Sequence, residues 1–196
     1  MPTGERQETI IDAVLALSAE IGPARVTTQA IAERIGVTHG ALFRHFPDKQ
    51  AIWAGVFAWL PVALGAALEA PFRDGRDPLD TLERVFHAHV GFVAAHPGVP
   101  RILFHELQSP DNTGPRQQLR EFVGRYRQRL AGLFDAARAE GLVAPDLDTE
   151  AAAVLFIGTV QGLVLQTTLF TDEGGMAAHA RRLFPLLLDG FRGASR

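Results

Sequence analysis

Apolar residues recur every three or four positions along nearly the whole chain, and this spacing constrains the fold more than any other feature. The first example is Ile10, Val14, Leu17 and Ile21, where Gly22-Pro23 then ends the run. The sequence contains no alternating β-branched runs, and no hairpin dipeptide is flanked by such runs, so nothing in it predicts a strand. The pattern therefore predicts an all-α protein of about nine helices.

Capping residues, glycines and prolines divide the rest of the chain into further predicted helices. A polar loop is expected over 71–77, where Pro71 should end one helix and Asp77-Pro78 should begin the next. The other helices are predicted over Lys49 to about Leu68 with a bend at Pro61, 78 to about His96, Arg101–Gln108, Pro115–Glu140, 149–170 after a cap at Asp148, and from Gly174-Gly175 to about Phe191.

The segment from Thr27 to Lys49, TTQAIAERIGVTHGALFRHFPDK, predicts a helix-turn-helix. A threonine cap starts a short helix that ends at Gly36, Thr38 caps a second short helix, and Asp48 caps the long helix that follows. In such a motif the second helix enters the major groove of DNA. Its exposed side would present small or hydrogen-bonding groups to base edges and phosphates.

The charge balance gives DNA binding no general support. The chain carries a formal net charge of −3, and residues 1–50 hold five Lys or Arg against six Asp or Glu. Binding to a polyanion must therefore come from a local surface and not from bulk attraction.

The same segment resembles the signature of the TetR family of transcriptional regulators, through G-V-T-x-G-A-L-F-R-H-F-P-D-K and the helix before it. The resemblance covers roughly residues 6–52. It implies a three-helix DNA-binding domain over 1–47 and a helical domain over 48–196 for effector binding and dimerisation. It also implies a non-catalytic homodimer, typically a repressor, on a palindromic double-stranded DNA operator. A cytoplasmic location is expected separately, because the first residues, MPTGERQETIIDAV, lack the basic flank and apolar core of a signal peptide.

The resemblance assigns DNA contacts position by position. It implies phosphate contacts at Thr27, Thr28 and Lys49, base-edge contacts at Thr38, His39, Gly40 and Ala41, packing of Phe43 on the sugar-phosphate backbone, and phosphate or guanine contacts at Arg44 and His45. Alternatives remain open. In these alternatives the residues do not touch DNA: Thr27 is only a helix cap, His45 is an aromatic residue that packs within the protein, and Arg44 and Lys49 are solvated surface charges.

The last two predicted helices carry small residues and a broad apolar stripe, which the resemblance assigns to a four-helix dimer interface. The alternative is that both helices only cover the core of one protomer. The predicted interface residues are Ala151, Gly158, Gly162, Leu183, Phe184, Leu187 and Phe191.

A ligand pocket is expected among the long helices, where apolar walls with a few polar groups are typical of such sites. Thirteen Phe against two Trp and one Tyr favour an apolar or aromatic effector. Core packing is the alternative role for each candidate. The candidates are Trp59, Phe86, His89, Phe104, His105, Phe122, Tyr126, Phe156 and Gln161.

Metal, cofactor and enzyme functions have little sequence support. The chain has no Cys, and His87, His89, His96 and His105 include no His-x-x-x-His pair, so we expect neither a metal nor a cofactor. No nucleophile elbow, P-loop or dinucleotide glycine motif occurs. The uncharged stretches Ala51–Leu68 and Ala151–Thr171 are expected to be buried helices and not membrane spans.

A third interpretation keeps the fold but replaces the small ligand. The segment 96–103, His-Pro-Gly-Val-Pro-Arg-Ile-Leu, resembles a nucleoid-occlusion branch of the family. In that case the protein would bind DNA without a ligand or dock a protein partner. A large apolar cavity would favour the ligand-controlled regulator, and a closed, charged core would favour the alternative.

Overall fold

A computed structural model of the chain describes residues 3–108, 114–170 and 175–193. Within these ranges it has nine α-helices, a 3-10 turn at Pro23–Arg25 and no strand, which confirms the predicted all-α class. The helices are α1 (Thr3–Ile21), α2 (Thr28–Arg34), α3 (His39–Leu42), α4 (Lys49–Asp74), α5 (Pro78–Ala95), α6 (Gly98–Leu107), α7 (Gly114–Ala139), α8 (Thr149–Leu169) and α9 (Gly175–Arg192).

Helix α4 is longer than the sequence predicts. It continues through Pro61 and Pro71 to Asp74, so the expected loop over 71–77 is limited to its last residues. The additional turn has a tertiary contact, since the ring of Phe72 meets the ring of Tyr126 edge-on at 6.3 Å between centroids. Side-chain packing of this kind regularly overrides the local preference of proline.

Helix α6 also differs, because it begins at Gly98, three residues before the predicted start. Pro100 therefore lies in the first turn, where its missing N–H has no helical partner to lose. Gly98 is required by its surroundings. A Cβ there would lie 2.0 Å from the backbone oxygen of Leu15 on α1, so only glycine allows the two helices to approach this closely.

The described chain forms two compact units. Unit 1 comprises Met1–Ala63 with Ala95–Arg120, and unit 2 comprises Leu64–Ala94 with Glu121–Arg196. The predicted boundary at residues 47 and 48 marks the start of α4 and does not coincide with this division. Unit 1 groups α6 with the N-terminal helices, and its core includes Ile10, Val14, Ile31, Leu42 and Ile52.

The core of unit 2 is built largely from phenylalanine. Phe86, Phe134 and Phe156 are completely buried, and the rings of Phe86 and Phe156 meet edge-on at 5.4 Å. Aspartate caps begin two of its helices. Asp77 accepts from the N–H groups of Leu79 and Asp80, and Asp148 accepts from that of Ala151.

Two helices, α4 and α8, are long and apolar enough to cross a membrane on length and composition alone. Their most apolar windows are 33% and 39% buried within the protein. Core helices of soluble proteins pass the same test. The exposed residues of α8 nevertheless form a distinct apolar face, which requires its own explanation.

Candidate nucleic-acid interface and other predicted sites

Three helix starts in the helix-turn-helix segment are fixed by side-chain caps, as the sequence predicts. The hydroxyl oxygen of Thr27 accepts from the N–H of Ala30 at 3.1 Å, and that of Thr38 accepts from Ala41 at 3.2 Å. Asp48 caps α4 by accepting from the N–H of Ala51 at 2.7 Å. Each cap satisfies one donor and leaves other N-terminal N–H groups available to an anion such as a DNA phosphate.

The turn between α2 and α3 depends on Gly36. Its φ of +68° lies in the left-handed region, which costs glycine little. The next residue, Val37, then donates its N–H to the carbonyl of Ala32 at 3.0 Å and closes the end of α2. Ile31 and Leu42 are buried, so the opposite side of α3 is left facing outward.

The predicted DNA contacts fall into two groups by exposure. Most of the side chains that would meet DNA phosphates or base edges are already exposed, and the rest are half-buried among neighbouring residues. The exposed residues are Thr27, Thr38, His39, Gly40, Arg44 and Lys49, and the half-buried residues are Thr28, Ala41, Phe43 and His45.

His39 makes contacts that the sequence does not reveal. Its Nε2 lies 2.9 Å from the hydroxyl oxygen of Thr28, a hydrogen bond between α3 and α2. Its ring also packs edge-on against Phe43 at 4.8 Å between centroids. His39 and Thr28 therefore hold each other in position, and the ring's Nδ1 is the nitrogen left for DNA.

His45 is partly a packing residue. Its Nδ1 is buried and has no hydrogen-bond partner within the described ranges, which leaves Nε2 as the nitrogen that can reach outward. Its backbone carbonyl accepts from Nε2 of Gln7 on α1 at 3.2 Å. Gln7 thus ties α1 to the end of α3, a role that no local sequence signal indicates.

Phe46, which follows His45, explains why α4 has a glycine at position 55. Phe46 is buried, and a Cβ on Gly55 would lie 2.8 Å from its ring. Gly55 therefore makes room for the aromatic ring that anchors the end of the helix-turn-helix on α4.

The helix-turn-helix segment from Thr27 to Lys49 carries three cations, of which one is ion-paired. Arg34 is paired with Glu20 on α1 through two hydrogen bonds, which lower the pKa of the Glu20 carboxyl. Arg44 and Lys49 have no ion-pair partner among the described residues. The positive charge available to DNA therefore lies just after α3, the recognition helix, and at the start of α4.

Comparisons with known proteins match both ends of the chain. The family profile described as bacterial regulatory proteins, tetR family, matches residues 10–56, and the profile described as tetracyclin repressor-like, C-terminal domain, matches residues 108–184. The chain belongs to the TetR family. This TetR-family protein is therefore a DNA-binding transcriptional regulator, and proteins of this kind act as dimers.

Individual relatives are more distant. A nucleoid occlusion factor SlmA from Vibrio campbellii is 27% identical over 161 residues, which cover 82% of each chain. The fatty acid degradation regulator FadR from Bacillus halodurans superposes with a TM-score of 0.81 at 23% identity, over 99% of this chain and 98% of that one. FadR from Bacillus subtilis, solved in complex with stearoyl-CoA, gives 0.76 at 23% identity, over 93% and 98%. At these identities the solved structures show the shared fold.

The structure places five of the predicted pocket residues together in unit 2. Phe86, His89, Tyr126 and Phe156 are buried, and Phe122 is half-buried. The Tyr126 hydroxyl lies 3.3 Å from Nδ1 of His89, and burial lowers the pKa of this imidazole to about 4. Burial also raises the pKa of the Tyr126 hydroxyl above its usual range.

The other pocket candidates lie elsewhere. Gln161 is exposed on α8 and does not contribute to the core of unit 2. In unit 1, Phe104 is 46% exposed, and Trp59 is half-buried with its ring 5.5 Å from that of His96. His105 is exposed and lines a cleft of about 470 Å³ together with Trp53, Phe57 and Ile102. The position of His105 in the helical pattern does not show whether its side chain lines a cleft or packs in the core.

The predicted dimer residues divide by burial. Ala151, Gly158 and Gly162 are exposed on α8, and Leu183 and Leu187 are half-buried on α9. Phe184 and Phe191 were misplaced, because they pack inside their own unit against Phe86 at 5.2 Å and Phe134 at 4.7 Å respectively. Five large apolar side chains that the helical pattern does not single out are exposed on the same two helices: Val154, Leu155, Leu165, Leu169 and Leu186.

Proposed function

We propose that this protein is a homodimeric repressor that binds a palindromic operator and is released by a small apolar or aromatic ligand. The observation that carries this proposal is the exposed side of α3, set among three capped helix starts and beside the unpaired cations Arg44 and Lys49. Residues 1–47 would bind DNA, and residues 48–196 would bind the effector and dimerise. The proposal places the protein in the cytoplasm and includes no catalytic step.

The DNA contacts follow from exposure and chemistry. Thr38, Gly40 and Ala41 present small groups that let the recognition helix approach base edges closely. His39 adds Nδ1 as a hydrogen-bonding atom, and Phe43 supports the His39 ring while its outer edge faces the sugar-phosphate backbone. The phosphate contacts come from four groups: the start of α2 at Thr27 and Thr28, the Arg44 guanidinium, Nε2 of His45 and the Lys49 ammonium.

The dimer contact is proposed for the exposed apolar face of α8 with α9. Ala151, Leu155, Gly158, Gly162 and Leu165 recur at spacings of three and four, so they lie on one side of α8. Small residues allow close helix approach, and the large exposed leucines supply apolar area. A second copy covering this face would remove from water the apolar surface that otherwise requires a membrane or another partner.

Effector binding is proposed for the aromatic region of unit 2. Its buried pair, His89 and Tyr126, provides a few polar atoms within apolar walls, which suits a largely apolar ligand. The Bacillus subtilis relative solved with stearoyl-CoA supports a ligand with a large apolar part. Ligand entry would move the last turn of α4, where Phe72 contacts Tyr126, and α4 is the same continuous helix that begins with Lys49.

Control by a protein partner instead of a ligand is less well supported. The segment 96–103, which resembles a nucleoid-occlusion branch, has a packing role in this chain. Val99 and Ile102 are buried, and Gly98 contacts the backbone of Leu15. Helix packing within unit 1 therefore accounts for the segment without a docking function.

Salt-dependent operator binding tests the proposed DNA surface. Lys49→Ala should weaken binding to all duplex sequences alike and reduce the slope of log affinity against log salt by about one unit, because one phosphate contact is lost. Fluorescence anisotropy with labelled DNA at several salt concentrations measures both values. Arg73→Ala is the control, because Arg73 lies in unit 2, outside the proposed DNA surface, and is paired with Asp74 at 2.8 Å, so it should leave the slope unchanged. An unchanged slope for Lys49→Ala would remove this residue from the phosphate contacts.

A further inference from the structure

An arginine–aromatic patch lies on one face of α7 and on the last turn of α4, entirely within unit 2. On α7 its members are spaced i, i+3, i+4 and i+7, which places them side by side. We define the patch as Phe72, Phe122, Arg125, Tyr126 and Arg129.

The three rings of the patch are packed in a row, with Tyr126 buried in the middle and Phe72 and Phe122 half-buried on either side of it. Phe122 stacks on Tyr126 at 6.5 Å with an interplanar angle of 21°, and Phe72 meets Tyr126 edge-on at 6.3 Å. The hydroxyl of Tyr126 is already hydrogen-bonded to His89 in the core. A ligand at the patch would therefore meet the half-buried rings of Phe72 and Phe122, and it would need to be apolar where it touches them.

Arg125 and Arg129 place positive charge beside these apolar rings. Arg129 lies 3.8 Å from the centre of the Phe72 ring and pairs with Glu69 at 3.3 Å, with both charged side chains about half exposed. Such a surface pair is worth little, so another anion can replace Glu69 at small cost. Arg125 is exposed and has no ion-pair partner among the described residues, so its guanidinium is available to the same anion.

We propose that the arginine–aromatic patch binds an amphipathic anion, with an apolar chain or ring system against the rings and one carboxylate or phosphate group between the two arginines. Arginine is suited to both groups because its planar guanidinium donates two parallel hydrogen bonds. The inference rests on the proposed function, since this anion would be the effector. It makes that proposal more specific, because an uncharged apolar molecule would leave both arginines unused.

The test is a calorimetric titration of the full chain, without DNA, against decanoate, decyl phosphate and 1-decanol, which share one alkyl chain. We expect at least one of the two anions to bind roughly tenfold more tightly than the alcohol, as expected for charge-assisted hydrogen bonds. Binding of decyl phosphate alone would identify a phosphate-bearing ligand, and binding of decanoate would show that a carboxylate is sufficient. Equal binding of anion and alcohol, or no binding of either anion, would overturn the inference.

Matched arginine variants locate the charge effect. Arg125→Gln and Arg129→Gln should each lower anion affinity roughly tenfold and leave alcohol affinity unchanged. Arg127→Gln is the control, because Arg127 is exposed two residues from Arg125 and points to a different side of the helix. An equal loss in Arg127→Gln would show a general charge effect and overturn the assignment. Arg125 is exposed and its side chain has no hydrogen bond or ion pair with the described residues, so its replacement should leave the folded state intact.

A parallel gel shift with duplex DNA separates this inference from the function on which it rests. Wild-type protein that binds an operator but none of the anions would overturn the inference alone. Wild-type protein that binds an anion but no DNA would overturn the proposed function and leave the site in place. Binding of both without release of DNA would contradict the effector role of the anion.

Discussion

The helix-turn-helix segment and the α8–α9 pair show two different relations between sequence and structure. In the first, short helices begin at Thr27 and Thr38 caps and turn at Gly36, so local chemistry fixes which side faces outward. In the second, apolar residues surround α8 on all sides, and only tertiary packing decides which of them are buried. Caps and turns in the sequence thus locate the surface that would bind DNA. For a helix that is apolar on all sides, such as α8, the sequence does not show which side stays exposed.

The largest expected effect is on the free face of α8. Leu155→Arg should convert the dimer to a monomer, because a charged side chain would be buried without a partner at the proposed interface. Operator affinity should fall when the dimer is lost, since a monomer presents only one copy of α3 to the DNA. Sedimentation velocity measures the mass directly.

Val62→Arg is the matched control for this substitution. Val62 is 71% exposed on α4 in unit 1, where no interface is proposed. It should leave the dimer intact. If Leu155→Arg remained a dimer, the exposed apolar face of α8 would not be the dimer interface.

The next effect concerns close helix packing in unit 1. Gly98→Ala should lower the free energy of unfolding by about 3 kcal/mol, because its Cβ would overlap the backbone of α1. Gly132→Ala on α7 meets no atom within 4 Å and should be neutral or slightly stabilising. Denaturant titration of Gly98→Ala and Gly132→Ala measures the two free energies of unfolding. Similar stabilities would show that α1 and α6 can separate without cost.

Acid should destabilise unit 2 through His89. The unfolded imidazole has a pKa of about 6.5 and the buried one a pKa of about 4, so between these pH values only the unfolded chain binds the proton. The free energy of unfolding should therefore decrease as pH falls from 6.5 to 4, by about 3 kcal/mol in total, and show no further decrease from this group below pH 4. His89→Gln should lack this component of the pH dependence. Identical pH profiles would exclude a buried neutral histidine.

The smallest expected effect is at a cap. Thr38→Ala should lower the free energy of unfolding by about 1 kcal/mol, because the N–H of Ala41 loses its acceptor. Thermal unfolding compares it with Thr38→Ser, which keeps a hydroxyl and should retain most of the stability. If both variants lost the same stability, the cap would not be what fixes the start of α3.

Most of the fold could be predicted because helix starts carry local chemistry. The caps at Thr27, Thr38, Asp48, Asp77 and Asp148 are all found at the predicted positions. The errors lie at prolines. The sequence could not show that Phe72 packs on Tyr126 and keeps α4 helical through Pro71, or that Pro100 occupies a first turn.

The candidate sites were predictable only where a motif specifies them. The exposed surface of α3 follows from the helix-turn-helix pattern, but the hydrogen bond between His39 and Thr28 requires the turn geometry in three dimensions. Phe184 and Phe191 were misplaced because a periodic apolar stripe does not distinguish residues that pack inward from residues that pack on a second chain. Arg125 and Arg129 were not singled out, since exposed arginines on a helix are usually only solvated.

The most direct test of the central claim is a selection of random duplex DNA by the purified full chain, followed by sequencing of the bound fraction. We expect a palindrome whose half-sites are about one helical turn apart, because a dimer presents two recognition helices to one face of the duplex. Recovery of no sequence above nonspecific background at low salt, without ligand, would contradict operator recognition by α3.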